Sequence, residues 1–147
     1  MRAKKKWIEK QKYLRLSKLG TEHNLSFSSY VIIGDKMIGL DGLRKKLLVT
    51  DFSNDPGESF IIELDMVKAV SIKKEYSDIK PGALPSRSIE EFLKSIQLRF
   101  EYKDKTDVLT FYQRERDGTG GRSWLEKMSR NWQLMLSKII GSQKPIN

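Results

Sequence analysis

The stretch IQLRFEYKDKTDVLTFY, residues 96–112, decides the fold. In its first half Ile96, Leu98, Phe100 and Tyr102 alternate strictly with polar residues, the period of a strand with one buried face and one wet face. Asp104-Lys105-Thr106-Asp107 turns the chain, and residues 108–112 return as the second arm of a β-hairpin.

Upstream, residues 25–33 carry Leu25, Phe27 and the apolar run 30–33, and read as a first strand stopped by Gly34-Asp35-Lys36. Residues 37–40 are its hairpin partner. Asp41-Gly42 is the strongest short turn signal of the chain, and 46–52, with Leu47, Leu48, Val49 and Phe52, makes a third strand. After the loop Ser53-Asn54-Asp55-Pro56-Gly57, residues 60–64 and 67–76 read as strands broken around Asp65. Pro81, Gly82 and Pro85 mark an irregular insertion at 77–94, in which Ser88 and Glu91 form a capping box for one short helical turn.

Downstream of the hairpin, Ser123 and Glu126 form a second capping box. Leu125, Met128, Trp132, Met135, Leu136 and Ile139 fall on one face of a helix ending at Gly141. At the other end of the chain, residues 1–20 read as a basic helix with Gly20 at the C-cap position. Its apolar residues Trp7, Ile8, Leu14, Leu16 and Leu19 make no clean stripe, so it is expected to pack along one edge of the domain or to project from it. The expected fold is α+β: mostly antiparallel β, of about seven strands, over residues 25–141, with the basic helix before it and an amphipathic helix closing it.

A chain of 147 residues can bury one core without staples, and 38% apolar against 32% charged residues is a globular balance. There is no cysteine, which excludes disulfides, thiolate metal sites and thiol nucleophiles. Apolar runs such as 30–33 and 47–49 fall far short of the roughly 20 residues that span a bilayer. Residues 1–6 lead into a charged segment and not into the apolar core of a signal peptide, so the expected location is the cytoplasm or the inner face of its membrane. A membrane helix upstream of Met1 would itself account for a basic segment here, through the positive-inside rule.

The net charge of +9 is concentrated. Residues 1–18 hold eight cations and one anion, Glu9, for +7, and the remaining 20 cations and 18 anions leave +2. Trp7 beside Lys4, Lys5 and Lys6 suits a membrane interface, where a ring sits at headgroup level and lysines reach anionic lipid. Arg44, Lys45 and Lys46, next to the Asp41-Gly42 turn, either grip a phosphate or headgroup or solubilise an edge strand.

Other chemistry is thin. His23 is the only histidine, with no second histidine and no cysteine to share a metal, and reads as a surface residue. Asp104, Asp107, Glu115 and Asp117 lack the buried cleft that general acid–base work needs. Asp117-Gly-Thr-Gly-Gly-Arg122 has neither the Walker lysine nor the Rossmann spacing, and reads as a flexible link into the last helix. Trp124, Met128, Trp132 and Met135, at helical spacing, read as core.

The strand order, with Arg130-Asn131-Trp132 followed by Ile139-Ile140 in the closing helix, resembles the pleckstrin-homology-like superfold over residues 25–140. The resemblance implies a barrel or sandwich plugged at one end by the helix, with loops at the other end that bind phosphoinositides, peptides or partner proteins. The family's basic lipid signature between the first two strands is not matched; Gly34-Asp35-Lys36 stands there. A basic helix before such a body is also similar to bacterial proteins with no assigned activity.

The function expected is a non-enzymatic interaction module that needs no metal and no cofactor. It binds a protein partner or an anionic membrane surface through Lys4, Lys5, Lys6, Trp7, Arg44, Lys45 and Lys46. A nucleic-acid-associated protein using the same arm is the alternative, and a small enzyme with an unrecognised carboxylate site a second one.

Overall fold

In the computed structural model the backbone is described for residues 2–52, 58–77 and 89–141, with side chains from residue 10 onward except at 89 and 90. The loop 53–57, residues 78–88 of the insertion with Ser88 of its capping box, and the side chains of Lys4, Lys5, Lys6 and Trp7 lie outside the described residues. The chain divides into two compact units, Met1–Asp65 and Met66–Asn147. The seven antiparallel strands expected are all present in an α+β fold, as two sheets of four and three strands and not as one closed barrel.

The first unit holds α1 (Arg2–Glu22), β1 (Ser29–Ile33), β2 (Lys36–Asp41), β3 (Lys46–Asp51) and β4 (Glu58–Glu63), the strands forming a meander in chain order. Gly34, at φ 58°, and Asp35 make a two-residue turn, since Ile33 pairs with Lys36. The β2–β3 turn falls where Asp41-Gly42 marks it, with β3 beginning at Lys46 as expected. Asp41 pairs with Lys46 across a four-residue connection, and its left-handed residue is Lys45, at φ 57°.

The N-terminal helix is a core element. Leu16, Leu25, Met37 and Leu48 are buried together, with Leu19, Phe27, Ile32, Phe52 and Ile61 packed against them. Gly20 does not end the helix, which runs on to Glu22; Asn24, at φ 59°, takes the left-handed cap position. Gly20 instead makes room for Phe27, whose ring is also close to Gly39 of β2. A β-carbon would meet that ring at 2.7 Å from Gly20 and at 2.8 Å from Gly39. On the opposite face of the sheet Val31, Ile38, Leu40, Leu47, Val49 and Ile62 are buried too.

The second unit holds β5 (Ala69–Tyr76), β6 (Leu93–Glu101), β7 (Thr106–Gln113), α2 (Arg114–Asp117) and α3 (Arg122–Gly141). The hairpin of residues 96–112 forms as β6 and β7, Glu101 pairing with Thr106. α3 packs on all three strands through buried Leu125, Ser129, Trp132, Leu136 and Ile140. The stripe is rotated from the one expected: Met128, Met135 and Ile139 flank it half-buried, and Trp124 is 52% exposed. Among the described residues no helix is long and apolar enough to cross a membrane.

Candidate functional site

The direction of α1 locates the cations. Lys12 Nζ donates to the Gly34 carbonyl at 3.2 Å beside the start of β2, and Gly20 lies against Phe27, which covers Gly39 near its end. The chain leaving α1 brings the Ser26 amide to Asp41 Oδ2, at 2.9 Å. α1 therefore runs along β2 in the same sense. Lys4, Lys5, Lys6 and Trp7 fall upstream of Lys12, past the β1–β2 turn, while Arg44, Lys45 and Lys46 stand at the far end of β2. With a rise of about 1.5 Å per residue, residue 5 and Gly20 are roughly 22 Å apart, so the two groups are not brought together.

What α1 presents to solvent is the side opposite Leu16, Leu19 and Gly20. Lys10, Gln11, Leu14 and Lys18 are exposed there, Leu14 by 49%. Lys10 and Lys18 make no ion pair among the described residues. Arg15 stacks over the Phe52 ring at 5.4 Å, and Glu22 is the acid at the end of this face. An open groove of about 540 Å³ runs along Leu14, Arg15, Lys18 and Glu22, and a second, of about 350 Å³, lies between α1 and β1 under Tyr13 and Tyr30.

At the β2–β3 turn much of the positive charge is already engaged. Arg44 donates from its backbone amide to Asp41 Oδ1 at 2.8 Å and from its guanidinium to Oδ2 at 3.0 Å. Lys46 pairs with Glu63 at 3.4 Å, and Lys45 makes no ion pair among the described residues. Asp41 itself is 1% exposed. Burial alone would raise its pKa; the amide hydrogen bonds from Arg44 and Ser26, with the Arg44 guanidinium, outweigh that and hold it below the ordinary aspartate value.

In the second unit the hydrogen bond from Lys74, at 2.5 Å, holds Glu126 below the ordinary glutamate value against burial that would raise it, and Arg130 at 2.7 Å assists. Glu126 pairs with Lys74, and Ser123 is not at the N-cap because the helix begins one residue earlier, at Arg122. Carboxyls held down in this way stay ionised at neutral pH and have no proton to donate. Asp117 accepts from the Gln113 amide at 2.9 Å and pairs with Arg116 at 2.8 Å, and Asp104, Glu115 and His23 are exposed. Tyr112 donates to the Gly118 carbonyl at 3.0 Å, which ties down the glycine-rich link. Among the described residues no three His, Asp or Glu side chains come together as metal ligands.

The outward side of α3 carries a basic surface that the charge count along the chain does not reveal. Lys127, Arg130 and Lys138 are exposed there with Trp124, Asn131 and Leu134. The signal was the spacing of these residues opposite the buried stripe.

Comparison of the chain with protein-family models, with curated proteins and with solved structures finds no match.

Proposed function

We propose that the protein is a non-enzymatic interaction module that docks on an anionic membrane surface, at its inner face, through the outward side of α1. The observation that carries this reading is the division of labour on the helix. Leu16, Leu19 and Gly20 are spent on the core, and the side left to solvent is cationic with an exposed leucine among the lysines. That is the chemistry of a helix lying in the membrane interface, where apolar side chains enter the headgroup boundary and lysines stay with anionic lipid. Trp7 occupies the helical register two turns before Leu14, and Lys4, Lys5 and Lys6 extend the same cationic arm. The carboxylates of Asp41 in the first unit and Glu126 in the second are tied to structural partners, which favours a binding role over catalysis.

Reversing charge on the exposed side, Lys10→Glu with Lys18→Glu, tests it. Loss of binding to phosphatidylserine vesicles with the melting temperature kept supports the reading. Unchanged vesicle binding, or a loss seen only on DNA of unrelated sequence, contradicts it.

A further inference from the structure

Of the four edge strands among the described residues, β1 alone carries neither charge nor proline. β4 has Glu58 and Glu63, β5 has Lys73, Lys74 and Glu75, and β7 has Asp107, charges of the kind that discourage an exposed edge from pairing with another chain. β1 reads Ser-Tyr-Val-Ile-Ile, and among the described residues no strand pairs with it on the side away from β2. Its free backbone groups follow from the ladder. Gly34 and Asp35 form a two-residue turn, so Ile33 and Lys36 exchange both hydrogen bonds, and by alternation Val31 and Ser29 also spend theirs on β2. The Phe52 amide on the Asp35 carbonyl, at 2.7 Å, gives β2 the same phase from its other side. Tyr30 and Ile32 are left with amide and carbonyl facing outward. Tyr30 is 50% exposed, its ring against Tyr13 of α1 at 5.0 Å, over the groove of about 350 Å³ that follows this edge.

We propose that β1 pairs with β1 of a second copy of this chain, antiparallel across a twofold axis at Val31. The register is self-complementary. About Val31, Tyr30 falls opposite the partner's Ile32, and Ile32 opposite the partner's Tyr30, so outward groups meet outward groups and each pair exchanges two hydrogen bonds. Tyr30 and Ile32 share the α1 side of the sheet with Met37 and Gly39, which makes each pair an aromatic on a β-branched side chain, with no charge opposite another. The groove beside the edge is lined by uncharged residues, Tyr13, Ser17, Thr21 and Ser28 among them, and offers a phosphate nothing. A twofold axis perpendicular to the sheet keeps both α1 helices on one face and reverses their sense, so the lysine-rich beginnings of the two helices point to opposite ends of the joint. Pairing of this kind does not depend on membrane binding, and it sets the two outward α1 sides on one surface of the dimer.

Sedimentation equilibrium of the full chain, beside amide hydrogen exchange, tests the pairing. The wild type is expected at the mass of two chains, with the Tyr30 and Ile32 amides exchanging at least about tenfold more slowly in concentrated than in dilute solution. Tyr30→Lys places a charge on the edge and should return the protein to the mass of one chain while its melting stays cooperative, whereas Tyr30→Phe should keep the dimer. A wild type that is monomeric even in concentrated solution overturns the proposal. So does a dimer that survives Tyr30→Lys, or one in which the Tyr30 and Ile32 amides exchange as fast as in the monomer, since either is joined through another surface. If Tyr30→Lys fails to fold, the exchange of the two wild-type amides decides alone.

Discussion

Phe27 lies so close to Gly20 that a β-carbon on the glycine would sit 2.7 Å from its ring. Alanine is the better helix former by about 1 kcal/mol, yet Gly20→Ala is expected to destabilise the first unit, because overpacking costs about 1–3 kcal/mol. The sign should reverse when the ring is removed: in a Phe27→Ala background the same substitution becomes neutral or stabilising. Urea denaturation of the two single variants and the double variant measures this coupling.

Asp41 and Glu126 set the acid limb of stability. Both have pKa values lowered by folding, so each contributes stability that is fully present above its unfolded pKa and is lost as pH falls through the folded value. The loss belongs below about pH 4, where carboxylates of ordinary pKa take up protons. Asp41→Asn keeps the shape and removes the charge that Arg44 and two amides address; it should cost about 2–3 kcal/mol at neutral pH and flatten the fall in melting temperature between pH 6 and pH 3. An unchanged acid limb in Asp41→Asn would show that the turn does not depend on that charge.

The two tryptophans of α3 are used differently. Trp132 is 5% exposed and Trp124 52%. Trp132→Ala should cost about 3–5 kcal/mol and Trp124→Ala less than about 0.5 kcal/mol. Comparable losses would mean that α3 is rotated from the register described.

α1 cannot be cut away cleanly, since Leu16 is 1% exposed in the core of the first unit. Deleting residues 1–18 should unfold that unit, seen as loss of its cooperative melting. Leu16→Ala alone should cost about 2–4 kcal/mol. Charge reversal on the exposed side, and not truncation, is therefore the way to separate binding from folding.

The residues that were legible in the sequence are those whose environment is set locally. Ile96, Leu98 and Phe100 alternate because one face of β6 is buried, and the α3 stripe shows because 3.6-residue periodicity survives in it. What escaped depends on distant partners. Leu16 and Leu19 give no visible stripe among the lysines of α1, yet Met37, Leu48 and Phe27 bury them. Gly20 looks like a helix stop, and its purpose becomes visible only once Phe27 is folded over it. Asp41-Gly42 marks a turn correctly, but nothing nearby announces that the carboxylate takes the Ser26 amide. Ser123 and Glu126 satisfy a capping pattern, but the helix starts at Arg122, and Glu126 pairs with Lys74, far off in the chain. The seven cationic and aromatic candidates were found as charge along a line, and their separation to opposite ends of β2 is a property of the fold alone.

The central claim is that this protein binds an anionic membrane surface, and the most direct measurement is partition of the intact chain onto phosphatidylcholine vesicles with and without phosphatidylserine, at low and physiological salt. The account predicts binding that requires phosphatidylserine and weakens as salt rises. Equal binding to neutral vesicles, or no binding to either kind at low salt, would contradict it.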